Sequence, residues 1–301
     1  MNILICGANG YLGSVLTPAL CQLGHRVTAA DVVTGPSLFD ACRYKNLEIK
    51  RVDCLNEKDV AGLIKDADFI YWLVGATSGN EQKLRDVNVG SATILAEHIG
   101  KGQTICYAQT NAGYRPTNSV ATEDTPMIGG SAYSRTKIEA EKILMDTGRC
   151  VSFRLAAIYG PAPTIRWETL LNYMTYHAVN YPERPFEIYQ PYVVRDVLFT
   201  TDLVNRMKLP LIVDLAGRVF NLSGQSLPKT SFLEHVFEHP VFRGEPHRKF
   251  VMSMGDDPDQ RNFSVSEEKF RRFYECHAGP LFTTSLEDGI AMTIKAARLE
   301  S

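Results

Sequence analysis

The apolar run Ile3-Leu4-Ile5-Cys6 passes without a break into Gly7-Ala8-Asn9-Gly10-Tyr11-Leu12-Gly13, a loop of three glycines set three residues apart. A glycine turn alone is a weak signal, because any tight βα connection uses glycine for positive φ. The rest of the first half gives it weight. Apolar runs at Arg26–Ala30, Glu48–Val52, Phe69–Val74, Thr104–Ala108 and Cys150–Leu155 read as strands, and Leu12–Leu23, Glu57–Ile64, Asn88–Ile99 and Ala132–Met145 read as helices between them. In the last of these, Ile138, Ile143 and Leu144 keep helical spacing. Strand-helix repetition of this kind predicts a parallel sheet covered on both faces.

After Tyr159-Gly160-Pro161-Ala162-Pro163 the rhythm breaks, and prolines from Pro182 to Pro258 cut the remainder into shorter pieces. Val194–Phe199 and Val219–Leu222 are strand-like exceptions, and the second is placed to return to the main sheet. The expected fold is therefore α/β, a Rossmann-type doubly wound parallel sheet with a smaller C-terminal substrate lobe. The expected division is 1–160 with 195–224 as the nucleotide-binding domain, and 161–194 with 225–301 as the lobe. A net charge of −2 gives no reason to expect nucleic acid or an anionic membrane as partner. No apolar run is long enough to span a bilayer, and seven scattered cysteines without a CxxC pair read as reduced thiols of a cytoplasmic protein.

The glycine loop follows a strand, opens a helix, and is answered by Asp31, 18 residues past Gly13 at the end of the next strand. That arrangement sets a pyrophosphate on a helix N-terminus and a carboxylate on a ribose diol. Gly7, Asn9, Gly10, Tyr11, Leu12, Gly13 and Asp31 are thus the core of a dinucleotide site, which Leu73 and Gly75 complete where the fourth strand ends. A carboxylate repels a 2′-phosphate and Val32-Val33-Thr34 supplies no arginine, so NAD is favoured over NADP. Asp53 reads either as a partner of the adenine amino group or as a helix N-cap.

Tyr133-Ser134-Arg135-Thr136-Lys137 places a phenol and an ammonium one helical turn apart. A nearby cation favours the phenolate, although a solvated helix face gives the same spacing. Thr110 ends the strand-like run Cys106-Tyr107-Ala108-Gln109-Thr110, at the sheet edge where ligands bind in this architecture. Thr77, in the loop Thr77–Gln82, lies where substrate or nicotinamide passes.

With these residues the chain resembles the extended short-chain dehydrogenase/reductase family, also called the NAD-dependent epimerase/dehydratase family, and is similar to its nucleotide-sugar 4-epimerases. The resemblance rests on the glycine loop, on Asn88-Val89-Gly90-Ser91, on Tyr133 to Lys137, and on Arg154 with Tyr159-Gly160-Pro161. It continues through Arg195-Asp196 to Asp202, Asn221-Leu222-Ser223-Gly224, Asp259 to Val265 and Ser285 to Ile290. It implies that Tyr133 is the base, held partly ionised by Lys137 and the nicotinamide, that Lys137 binds the nicotinamide ribose, and that Thr110 bonds the reacting oxygen. Asn88 joins the cofactor set. Arg195 pairs with a substrate phosphate, against a plain ion pair with Asp196 or Asp202; Arg166 and Arg261 are further phosphate candidates.

Within the family, Asn111-Ala112 after Thr110 offers no acid for dehydration and no cysteine for 3,5-epimerisation, which leaves a redox 4-epimerase of a nucleotide sugar. An NAD(P)-linked sugar or ketone reductase or dehydrogenase is the alternative, and a non-catalytic NAD-binding regulator the alternative of another class. Ala157, where relatives commonly carry asparagine, and Gly113-Tyr114-Arg115 depart from the pattern. No metal is expected, and His235 with His239 reads as helix surface. Apolar surface on Asn88–Ile99 and Ala132–Met145 suggests a homodimer.

Overall fold

The computed structural model describes residues 1–33, 43–116, 119–253, 262 and 264–300. Its strands, in chain order, are β1 (Asn2–Cys6), β2 (Arg26–Asp31), β3 (Leu47–Arg51), β4 (Phe69–Trp72), β5 (Thr104–Thr110), β6 (Cys150–Leu155), β7 (Ala157–Tyr159), β8 (Phe186–Tyr189), β9 (Val194–Phe199), β10 (Val219–Leu222), β11 (Gln225–Pro228) and β12 (Phe250–Ser253). Seven of them form one sheet in the order β10-β6-β5-β4-β1-β2-β3, parallel throughout. The order reverses direction at β1 and β4, which is the switch point where such sheets open a crevice. Cys6 is in register with both Ala30 and Trp72, so the carboxyl ends of β1, β2 and β4 lie level.

The sheet is covered twice because its strands are apolar on both faces. Ile3 and Ile5 pack with Leu12, Leu16 and Leu20 of the helix Tyr11–Gln22. Leu4 and Cys6 point the other way, into a cluster with Val60, Leu95, Ala140 and Leu144. Alternation along a strand is what divides one sequence run between two cores.

The helix expected over Asn88–Ile99 is built differently. A short helix Glu81–Arg85 runs through a π turn at Asp86–Gly90 into the helix Ser91–His98. Such π turns inside helices re-aim side chains and recur at functional sites; here the turn buries Asn88.

The C-terminal half supplies a lobe with its own cluster, in which Leu171, Met174, Phe186, Phe232, Val236 and Ile290 pack. β10 joins the main sheet beside β6, as its sequence suggested, whereas β9 pairs with β7 and β11 in a small sheet of its own. β9 serves both cores: Leu198 packs beneath the main sheet, and Val197 and Phe199 pack in the lobe. His239 corrects the surface reading of the His235/His239 pair. It is buried beyond the helix end, where Nδ1 accepts from Val241 N and Nε2 lies 3.1 Å from Glu287 O. The six described cysteines are unbridged, five of them buried.

A buried ion pair ties the C-terminal segment under the sheet. Arg206 Nε and Nη2 reach Glu267 at 2.7 and 3.1 Å, Nη2 also donates to Thr283, and Glu267 accepts Ser223 N at 3.1 Å. Removing one member of a desolvated pair leaves the other charge uncompensated. Glu267→Ala should therefore lower the unfolding free energy by about 3 kcal/mol, read from urea denaturation; a loss under about 1 kcal/mol, typical of a surface pair, would contradict this account.

Candidate active site

The carboxyl ends of β1, β2, β4 and β5 open on a crevice that the glycine loop divides. One side, about 490 Å³, is bounded by Asn9, Asp31, Asp53 and Val87; the other, about 560 Å³, by Thr77, Thr110, Tyr133, Lys137, Arg166 and Arg195. Gly7, Gly10, Leu73 and Gly75 line both halves.

The loop is forced to be glycine by two close approaches. Gly7 has φ +83°, and a Cβ there would sit 2.9 Å from the Leu73 carbonyl carbon, while a Cβ on Gly13 would overlap Gly7 O. Gly10 begins the helix Tyr11–Gln22 with no side-chain cap, so the first amides of that helix point at the crevice. Asp31 accepts Asn9 N at 2.9 Å on Oδ2 and Val33 N at 3.1 Å on Oδ1. Each carboxylate oxygen keeps a further lone pair, as a ribose diol requires. Tyr11 lines the crevice with its ring, but its hydroxyl donates to Gly160 O at 2.6 Å and accepts from Asn172 at 2.9 Å. Asn56, not Asp53, caps the helix Glu57–Ile64, which removes the capping reading of Asp53; Asp53 lines the crevice and accepts Leu55 N. The loop, the helix start and Asp31 fit NAD: a pyrophosphate on the amides, a ribose on the carboxylate.

Across the crevice, Asn88 grips the chain after β4. Its Oδ1 accepts Ala76 N at 2.8 Å, and its Nδ2 donates to Ala76 O and to Thr136 Oγ1. Asn88 thus orders the Gly75–Thr77 stretch rather than lining the crevice itself. The helix Ala132–Asp146, capped reciprocally by Ser131 and Ser134, brings Tyr133 and Lys137 to the wall of the cleft. Thr110, at the end of β5, lines the same wall as the Tyr133 phenol and favours its anion.

Lys137 Nζ donates to Ala108 O at 2.7 Å and lies 4.1 Å over the Tyr107 ring, and burial lowers its pKa to about 7. Burial raises the Tyr133 phenol, and the cation that opposes this is Arg166. Arg166 donates to Glu168 at 2.9 Å and to Thr77 Oγ1 at 3.3 Å. Arg195 lines the cleft and donates to Val194 O, whereas its supposed ion-pair partners are otherwise engaged. Asp202 holds Thr284, and Asp196 accepts Asn111, Ser223 and Ser226. Arg261 lies outside the described residues.

Three groups escaped the sequence reading because their partners are remote. Gln109 donates to Lys137 O at 2.8 Å and accepts Thr110 N at 2.8 Å, joining the strand end to the helix Ala132–Asp146. Asp196 stands behind Asn111, and burial pushes its carboxyl up to about 8. Glu141, one turn past Lys137, is held by Ser152 and Arg154. Ala157 lines the cleft without an amide, as its sequence implied. Among the described residues no group of three or more His, Cys, Asp or Glu could hold a metal ion, and no helix is long and apolar enough to cross a membrane.

Sheet order, glycine loop and Tyr-Lys helix are those of a Rossmann-type dinucleotide-binding protein. The chain belongs to the NAD dependent epimerase/dehydratase family, whose pattern it matches over residues 3–232. It is 26% identical to the uncharacterized UDP-glucose epimerase YtcB of Bacillus subtilis (strain 168), covering 98% of this chain and 97% of that one. It is 30% identical to UDP-glucose 4-epimerase 4 of Oryza sativa subsp. japonica, over 48% of this chain and less than half of the relative, 44%. Among solved structures, the UDP-glucuronic acid 4-epimerase from Bacillus cereus in complex with NAD shares the fold, with TM-score 0.84, 20% identity and coverage of 100% and 99%.

Because Gln109 satisfies both Thr110 N and Lys137 O, Gln109→Leu should lower turnover about tenfold or more through misplacement of both residues. NAD affinity should change much less, and steady-state kinetics with a parallel NAD titration separates the two.

Proposed function

We propose that this protein is an NAD-dependent epimerase that inverts a sugar carbinol of a nucleotide sugar by transient oxidation to the ketone and return of hydride to the other face. The observation that carries this reading is the convergence of Tyr133, Thr110 and Lys137 beside a crevice whose other half ends on Asp31. NAD, when bound, supplies the hydride acceptor and donor. Gly7, Gly10, Gly13 and the first amides of the helix Tyr11–Gln22 would hold its pyrophosphate, Asp31 the adenosine ribose, and Lys137 the nicotinamide ribose.

The protein's own residues do the acid-base work. Thr110 orients the substrate hydroxyl, and Tyr133 accepts its proton as the carbinol is oxidised and gives it back after the ketone has turned. Asn111 and Ala112, beside Thr110, provide no ionised acid or base, which favours simple inversion over dehydration. Arg195 and Arg166, on the lobe side of the same cleft, suit the phosphates and the sugar of a nucleotide sugar. The relatives named as UDP-glucose epimerases support UDP-sugars as the first substrates to test.

We place the protein in the cytoplasm as a homodimer. Ile94, Ile138, Ile143 and Met145 stay only partly covered on the paired helices, leaving apolar surface for a second copy.

Purified protein should interconvert UDP-glucose and UDP-galactose, or UDP-glucuronic and UDP-galacturonic acid, and Tyr133→Phe should lower that rate by about 10³-fold or more while retaining NAD. Net accumulation of NADH with substrate would instead indicate a dehydrogenase, and an unaffected Tyr133→Phe protein would indicate a binding role. Asp31→Ala should narrow the preference for NAD over NADP, seen by comparing the two affinities.

A further inference from the structure

The residue after Thr110 has a side chain with one end engaged and one end open. Asn111 is buried, lines the cleft beside Thr110 and Tyr133, and donates from Nδ2 to Asp196 Oδ2 at 3.1 Å. Among the described residues its Oδ1 has no hydrogen-bond partner, and it is not sealed from solvent. That oxygen therefore faces the cleft. The backbone holds the residue still: Thr110 Oγ1 accepts Ala112 N at 3.2 Å and Asn111 O accepts Tyr114 N at 3.1 Å, closing a turn on either side of the amide.

A carboxamide can donate from one end and accept at the other, so its partner decides which way round it sits. Here the partner is a buried carboxyl on β9, whose Oδ1 accepts the hydroxyls of Ser223 at 2.7 Å and Ser226 at 3.3 Å. Ser226 is its register partner on β11, and Ser223 N is tied to Glu267, so both hydroxyls are fixed by the fold. Burial keeps Asp196 near its titration point at neutral pH. The orientation of Asn111 is the same in both forms. As a carboxylate, Asp196 accepts from all three groups; as an acid, it passes its proton from Oδ1 to a serine hydroxyl, which accepts as well as donates, and Oδ2 remains an acceptor for the amide nitrogen.

We propose that Asn111 is a specificity-determining residue, which Asp196 positions so that it offers the sugar an acceptor oxygen one residue beyond Thr110. Such an oxygen pairs with a hydroxyl, which donates, and repels a carboxylate, which only accepts. A carboxylate at this point would also face Asp196 and Glu168, acidic residues that line the same cleft. The sugar selected is a neutral hexose and not a uronic acid. Asp196 acts through Asn111 and needs no contact with the substrate.

This inference rests on a nucleotide sugar as the substrate, but its test needs no turnover. NAD-loaded protein is titrated calorimetrically with UDP-glucose, with UDP-glucuronic acid and with UDP at neutral pH. UDP-glucose should bind about tenfold or more tighter than UDP-glucuronic acid, because the acid leaves a desolvated acceptor unpaired. Asp196→Asn allows the two amides to pair either way round, and it should reduce that ratio roughly three- to tenfold. Asn111→Leu removes the acceptor and should weaken UDP-glucose by about tenfold. UDP, which carries no sugar, should bind the unmutated protein and both variants alike, which a general loss of structure would not permit.

Equal affinity for the two sugars in the unmutated protein, or tighter binding of the uronate, overturns the inference. An Asp196→Asn ratio unchanged from that of the unmutated protein also overturns it. If Asp196→Asn does not fold, Asn111→Leu carries the test, and a ratio it leaves intact overturns the assignment. If UDP and both sugars all fail to bind, the substrate class is wrong and the inference falls with it. A clear preference for UDP-glucose without any epimerisation supports the inference and defeats the proposed reaction alone.

Discussion

The backbone crossing at the first turn is the constraint on which the rest of the structure depends. Gly13 passes so close to Gly7 O that no side-chain atom fits between them, and Gly7 itself lies against the Leu73 carbonyl with positive φ. That crossing sets the start of the helix Tyr11–Gln22 over the point where the strand order reverses, and it brings Asn9 N onto the Asp31 carboxylate. The crevice, the sheet edge and the helix that carries Tyr133 and Lys137 are then arranged around a fixed centre. A single Cβ at Gly13 would move all three, which is why the glycines carry more structural information than any apolar residue nearby.

Much of this could be read from the chain itself. β1, β2 and β6 are buried on both faces, so they stand out as short apolar runs, and Cys150–Leu155 matches its strand residue for residue. Glu57–Ile64 does the same for its helix, since Asn56 gives it a start signal. The π turn at Asp86–Gly90 was illegible, because apolar periodicity carries no mark of a widened turn. β7, β8, β11 and β12 have three or four residues each and exist through long-range pairing, which local pattern does not record. At the site, Tyr133, Lys137, Thr110 and Asp31 were visible as residue types at meaningful spacings. Gln109 and Asp196 were not, because their partners stand 28 and 85 residues away and only the fold brings them together.

Burial sets the chemistry of the acid-base groups more than their neighbours in sequence do. It lowers Lys137 to about 7 and raises Asp196 to about 8, so each sits close to neutrality with its charge easily changed by a partner. The low dielectric that discharges an isolated ammonium also strengthens every charge interaction that remains. The cleft therefore responds strongly to a few charges, and Arg166, Arg195 and Glu168 bring those charges from the lobe side.

β9 gives alternate side chains to two different cores, Leu198 to one and Val197 with Phe199 to the other. Neither core can melt without stripping that strand of half its packing, so sheet and lobe form one cooperative unit despite their separate clusters. The two walls of the cleft would then stay intact or fail together, and the cleft would not persist as a half-formed site that binds a nucleotide without the means to act on it.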